Sequence, residues 1–227
     1  MRRYLFGDNK NMRDLGGYCT LDKRETKFNR FIRSDLPLNM TLDEKKYLIK
    51  NNITTIIDLR NSDELLKKPN CLNESPFIYY NIELNGDTFP NLEDDIPNGY
   101  LDIIGDIKKI NAIFKIILSC NGNILFNCTA GKDRTGIISM LLLLIANVPE
   151  EDIIADYEVS YTYIKEYVVR MHELHQEWPS FVGKSKPEYM EQTLKLFKEK
   201  YNSIENYLKL LGLKNIEIKK LKSKLLD

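Results

Sequence analysis

One stretch restricts the fold more than any other. Ile124-Leu125-Phe126 runs through Asn127 into Cys128-Thr129-Ala130-Gly131-Lys132-Asp133-Arg134-Thr135-Gly136, and an apolar run from Ile137 to Val148 follows. A short β-prone run, a loop of small residues and a long apolar segment read as strand, turn and buried helix. The apolar run is interrupted by Ser139 and Asn147 and falls short of the ~20 residues that a membrane span needs, so it is expected to lie in a core.

The rest of the chain fits the same α/β class. Arg30-Phe31-Ile32-Arg33 is a strand candidate, Thr41-Leu42-Asp43-Glu44 a capping box that opens a helix, and Ile53 to Asp58 a buried strand. A further strand is expected from Phe77 to Leu84. Turn residues over Asn85-Gly86-Asp87 and from Pro90 to Gly99 predict a loop, and three-to-four spacing of apolar residues predicts one helix from Tyr100 to Leu118. Beyond Val148 the pattern is helical, with a stripe of Met190, Leu194, Phe197 and Tyr201, a short helix ending at Gly212, and another over Ile218, Leu221 and Leu225. Trp178 to Lys186, with Pro179 and Gly183, is a polar break. Strands alternating with helices predict a central, mainly parallel sheet flanked by helices. The whole of 1–227 is expected to be one domain, with about 157–197 as a helical cap over one end of the sheet.

Composition narrows what this fold can bind. The 33 basic residues cancel 33 acidic ones, so the surface as a whole offers no attraction for nucleic acid or an anionic membrane, and an anion must be held by a local site. The amino terminus has no apolar segment of the secretory type. Four cysteines without CxxC spacing fit free thiols in a reducing cytoplasm better than a disulfide scaffold or a zinc site.

The loop after the third strand supplies such a site. Carboxyl ends of parallel strands are where ligand crevices form, and a helix starting near Arg134 would point unpaired amides and its positive dipole end into the loop. Thr129, Ala130 and Gly131 are small enough for amides to turn inward as an anion nest, with Lys132 beside them. Arg134, six residues after Cys128, can grip two phosphate oxygens with its planar fork. These features also favour a thiolate, which could attack phosphorus and form a phosphocysteine without a metal or other cofactor. The Thr135 hydroxyl is expected to donate to the sulfur. A cysteine after a strand is ordinarily a small buried hydrophobe, but Lys132 and Arg134 would be poor neighbours for one. A nucleotide-binding loop is excluded because Phe126 stands where it needs glycine and Asp133 where it needs serine or threonine. A sulfurtransferase loop would lack the arginine at this distance.

The loop resembles the HCxAGKDRTG signature of bacterial tyrosine/serine phosphatases, a branch of the cysteine-based phosphatases. Asn11-Met12-Arg13-Asp14-Leu15-Gly16-Gly17 is similar to the NxRDxGG element of that family, Arg33-Ser34 to its next strand, and Asp58-Leu59-Arg60 with Glu64 to its DLRxxxE segment. Ala155-Asp156-Tyr157 and Tyr201 to Leu208 resemble its carboxyl-terminal helices. The resemblance implies a phosphatase fold that hydrolyses phosphotyrosine, often also phosphoserine or phosphothreonine (dual specificity), in phosphorylated protein or peptide, and in some members phosphoinositides. It makes Cys128 the nucleophile, Arg134 the phosphate clamp, Lys132 a further cation of the kind associated with phosphoinositide activity, and Asp133 a handler of protons. The chain departs from the family at Asn127, where histidine is usual; activity is expected to survive, either reduced or with its pH optimum shifted upward.

Two carboxylates compete for protonating the leaving oxygen: Asp133 in the loop, and Asp87 in Gly86-Asp87-Thr88-Phe89-Pro90. Trp178-Pro179-Ser180 has serine where the acid loop of larger tyrosine phosphatases has aspartate, and is discounted. Arg13, Asp14, Asp58 and Arg60 are expected to form bracing charge pairs or to cap turns. His172 and His175 read as surface histidines, and Lys214, Lys219, Lys220, Lys222 and Lys224 as a solvated helix face. Tyr157, Tyr161, Tyr163 and Tyr167 suit either core packing or an aromatic wall for the substrate.

Overall fold

The computed structural model describes residues 3–85 and 92–227. Arg13–Asp14 (β1) lies antiparallel on Phe31–Ser34 (β2). The chain then forms α1 (Leu42–Lys50), β3 (Ile53–Asp58), α2 (Ser62–Lys67) and β4 (Ile78–Asn81). Two helices, α3 (Ile96–Gly105) and α4 (Ile107–Ser119), lead to β5 (Asn123–Asn127), and α5 (Asp133–Ile145) follows. The remainder is α6 (Glu150–Leu174), α7 (Pro187–Tyr201), α8 (Ile204–Leu210) and α9 (Asn215–Leu225). The sheet order is β1-β2-β5-β3-β4, with every pair parallel except β1–β2.

Strand periodicity of two sorts the core into two faces. In register, Ile32, Leu125 and Ile56 line one face, where Leu48 of α1, Met12 and Tyr4 cover them. Phe31, Ile124, Phe126 and Ile57 line the other, under α3, α4 and α5. Of the thirteen residues of α5, eleven are buried, so the apolar run is the central core helix. Among the described residues no helix is long and apolar enough to cross a membrane. The carboxyl ends of β2, β5 and β3 align Ser34, Asn127 and Asp58 in one row, all fully buried, and the loop to α5 leaves from the middle of it.

Local expectations fared unevenly. The capping box of Thr41 and Glu44 and the strand Ile53–Asp58 stand where the sequence puts them. β4 is shorter than Phe77 to Leu84. The helix expected to start at Tyr100 starts at Ile96: Pro97 sits in its first turn, where a missing N–H costs nothing, so a residue read as a loop signal is a helix starter. It is also two helices, because Asp106 stops the first and its carboxylate accepts the Lys109 amide at the start of the second.

Candidate active site

The loop from Cys128 to Lys132 is held by its carbonyls. Thr129 O accepts from the Leu36 amide (3.1 Å), Ala130 O from Asn11 Nδ2 (2.9 Å), and Gly131 O from Asn11 Nδ2 (3.0 Å) and Arg33 Nη2 (2.7 Å). With the carbonyls turned outward, no amide from Thr129 to Asp133 donates to another described residue. The first turn of α5 also lacks a side-chain cap, so its amides add to an anion-receptive nest. Gly131 makes this close approach possible. Its φ is +67°, and a Cβ would lie 2.5 Å from the Asp35 amide nitrogen and 2.6 Å from the Ser34 carbonyl carbon.

Cys128 is 3% exposed, yet it lines a cleft of about 570 Å³ together with Thr129, Ala130, Lys132, Asp133 and Arg134. The cleft's other walls are Asn61, Asp63, Glu64 and Lys67 around α2, and Ile164, Tyr167, Val168 and Met171 of α6 with Trp178 and Val182 beyond it. Cys128 thus stands where the apolar core, to which it also belongs, borders the hollow.

Arg134 is oriented by Glu64, whose Oε2 and Oε1 accept from Nη1 and Nη2 at 2.6 and 2.8 Å. Glu64 Oε1 also accepts the Thr129 hydroxyl, and Oε2 the Asn61 amide at 3.0 Å, as part of the capping box of α2. Burial pushes the Glu64 carboxyl up, but the Arg134 and Thr129 hydrogen bonds outweigh it and hold it at about 2. A bidentate carboxylate fixes the plane of the guanidinium at the cleft. Thr135 departs from expectation. It occupies the third position of α5, and among the described residues its buried hydroxyl has no hydrogen-bond partner, the Cys128 sulfur included.

Lys132 is 5% exposed and already engaged: its Nζ donates to Asp133 Oδ1 (2.5 Å) and to the Lys184 carbonyl (2.9 Å). It therefore ties the loop to the 175–186 segment. Asp133 Oδ1 also accepts the Tyr100 hydroxyl, which lies 2.6 Å from that of Tyr157. Asp87 lies outside the described residues.

Behind the loop are two braces. Arg13 and Arg33, both fully buried, converge on Asp156, whose Oδ1 is 2.8 Å from Arg13 Nε and whose Oδ2 pairs with Arg33 Nη1. Arg33 in turn holds Gly131 O, so the brace reaches the loop. Burial opposes ionisation of Asp156, but the two guanidiniums outweigh it and keep its pKa at about 2; burial and the facing Arg13 lower Arg33 to about 10. Of the four residues expected to brace the site or cap turns, Asp14 does not pair with Arg13. Adjacent strand residues point to opposite faces, and Asp14 instead accepts the Gly16 and Asn29 amides (2.9 and 2.7 Å). In the second brace, Arg60 Nε and Nη2 each lie 2.9 Å from Asp58 oxygens; burial raises the Asp58 pKa, but Arg60 prevails and lowers it. Asn70 Nδ2 links Asp58 (3.1 Å) to Asn127 Oδ1 (3.0 Å), and Asn127 Nδ2 reaches Cys128 O at 3.3 Å. Asparagine thus stands where the resembling family has histidine, as a hydrogen-bonded link between the brace and the backbone of Cys128.

Sequence reasoning missed Tyr100, Asn70 and Trp178 as parts of this site. Trp178 was discounted for lacking a neighbouring acid, whereas its ring serves as cleft wall, stacked on His175 at 4.4 Å. His172, read as a surface residue, is half-buried and 2.8 Å from Val182 O. The tyrosines divide: Tyr157 is core, while Tyr167, 42% exposed, is wall.

The chain is 28% identical over 219 residues to a tyrosine-protein phosphatase of Nostoc commune, covering 86% of this chain and 74% of the relative. Among solved structures, TpbA of P. aeruginosa aligns at TM-score 0.39 and 13% identity, over 66% of this chain and 88% of that one. The core catalytic domain of the PP-IP phosphatase SIW14 from S. cerevisiae aligns at 0.38 and 15%, over 79% and 97%. Residues 6–227 match the tyrosine phosphatase family over almost the whole sequence, and the chain belongs to that family.

Proposed function

We propose that the chain hydrolyses phosphotyrosine in proteins or peptides through a phosphocysteine at Cys128. The observation that carries the reading is a cysteine at a cleft floor, ringed by amides that no described residue occupies and flanked by an oriented guanidinium. The Cys128 thiolate attacks phosphorus, the S–P bond forms as the P–O bond to the aryl oxygen breaks, and Asp133 gives that oxygen a proton. A water then attacks the phosphocysteine while Asp133 takes back a proton; inorganic phosphate leaves and the thiolate is restored. The loop amides and Arg134 stabilise the equatorial oxygens in both steps. The carboxyl-terminal half of α6 and the 175–186 segment act as the cap, with Lys132 as its tether. Four free thiols support work in a reducing compartment such as the cytoplasm.

Charge in the cleft favours an aryl monoester over a polyphosphate. Lys67, Lys132 and Arg134 are matched by Asp63, Glu64 and Asp133, and the α6 wall is apolar and aromatic. A phosphoinositide or inositol phosphate would need an excess of cations, and Lys132, the residue that suggests such a substrate, is already committed to Asp133 and Lys184. Initial rates on a phosphotyrosyl peptide, phosphoseryl peptides, phosphoinositides and an inositol polyphosphate test this. The expected order puts the phosphotyrosyl peptide first by at least about tenfold in kcat/KM. Faster release from the inositol compounds would establish the alternative, and binding without release from any of them would make the chain a phosphate-binding module.

Glu64→Ala should lower kcat/KM on aryl phosphates by about 10- to 100-fold, because Arg134 loses its fixed plane while keeping its charge. Glu64→Gln should recover part of this. Equal activity in all three proteins would mean that Arg134 needs no orienting partner.

A further inference from the structure

Three helices meet at one carboxylate. Asp133 opens α5, Tyr100 comes from α3 and Tyr157 from α6, and both tyrosines are buried. Each hydroxyl has one proton to give. The Tyr100 proton goes to Asp133 Oδ1, so the Tyr157 proton must go to the Tyr100 oxygen 2.6 Å away. Lys132 Nζ gives a second hydrogen bond to the same Oδ1 at 2.5 Å. Oδ2 accepts none from the described residues, and Asp133 lines the cleft.

We propose that Tyr100, held by Tyr157, is a positioning residue that reserves Oδ2 of Asp133 as the oxygen that carries the catalytic proton. This rests on the reading of Asp133 as the general acid. With Oδ1 committed to two fixed donors, the network stays satisfied whether Asp133 is ionised or protonated only if the proton sits on Oδ2. The arrangement therefore needs no rearrangement between giving the proton to the aryl oxygen and taking one from water, which is how a preorganised acid–base group works. Burial and the neighbouring Asp133 charge raise the tyrosine pKa values well above the ordinary phenol, which keeps both as donors.

The readout is leaving-group dependence of kcat/KM, which reports the step in which the aryl oxygen departs. Phenyl phosphate, a poor leaving group, needs the proton; para-nitrophenyl phosphate hardly does. Tyr100→Phe should lower kcat/KM on phenyl phosphate by about tenfold or more and on para-nitrophenyl phosphate by less than about threefold. Tyr157→Phe should show the same bias more weakly, and serves as the test if Tyr100→Phe does not fold. Asp133→Asn should show the bias most strongly, and the Tyr100→Phe/Asp133→Asn double variant should lose nothing further on phenyl phosphate. An equal loss on both substrates, or no loss, in the tyrosine variants while Asp133→Asn keeps its bias would overturn the positioning role alone. Absence of bias in Asp133→Asn itself would remove Asp133 as the acid, and the positioning role with it.

Discussion

Cys128→Ser is expected to lower turnover of an aryl phosphate on the order of 10⁴-fold or more while leaving affinity for phosphate or a phosphotyrosyl peptide within a few-fold. The substitution exchanges one atom at the cleft floor and keeps the loop amides, Gly131 and Arg134 in place. What it removes is the proposed nucleophile, since a cysteine sulfur is intrinsically far more nucleophilic than a serine hydroxyl. Arg134→Ala should behave differently. It removes the proposed phosphate clamp and leaves Glu64 without the guanidinium it pairs with, so binding and turnover should both fall, kcat/KM by about 10³-fold. Calorimetric titration with the peptide beside steady-state rates separates the two patterns. A serine variant that still turns over at a substantial fraction of the parent rate would exclude the covalent route.

Asp156→Asn should be the most destabilising single change behind the site, costing about 3–5 kcal/mol in denaturant unfolding at neutral pH. Arg13 and Arg33 are both fully buried and converge on this carboxylate, so its removal strands two guanidiniums with no counter-charge. The surviving folded molecules should also lose activity, because Arg33 holds the Gly131 carbonyl that shapes the loop. The pH dependence has a definite sign. The Asp156 pKa is about 2 in the fold against an ordinary 3.8, so its contribution, about 2 kcal/mol, is complete above about pH 4 and is lost as pH falls towards 2. The Asn variant should lack that part of the acid limb. A variant of parental stability would show that the buried triad braces nothing.

Legibility in the sequence followed the range over which a residue acts. Ile53–Asp58 was readable because a buried parallel strand is a continuous β-branched run, and the loop of Cys128 because strand, small residues and apolar helix are contiguous. Gly131 was readable for the same reason: its positive φ belongs to a turn that it makes itself. Pro97 misled because the same residue that breaks a helix interior starts a helix. The pairing of Arg134 with Glu64 spans 70 positions and that of Tyr100 with Asp133 spans 33, and no periodicity encodes either. Glu64 entered only through the resemblance of its segment, and Tyr100 only as the expected start of a helix, with no part in the site. Lys132 belongs to the loop by its place in the sequence, but whether its ammonium faces the cleft or the cap depends on Lys184, which only the fold brings near.

The most direct measurement is rapid mixing of the protein with an aryl phosphate, acid quenching within milliseconds, and mass spectrometry of the digested chain. The expected result is one phosphoryl group on the peptide that contains Cys128, formed together with a stoichiometric burst of the aryl alcohol ahead of inorganic phosphate. Alcohol and phosphate released in step with no adduct, or an adduct on any other residue, would contradict the assignment of Cys128 as nucleophile.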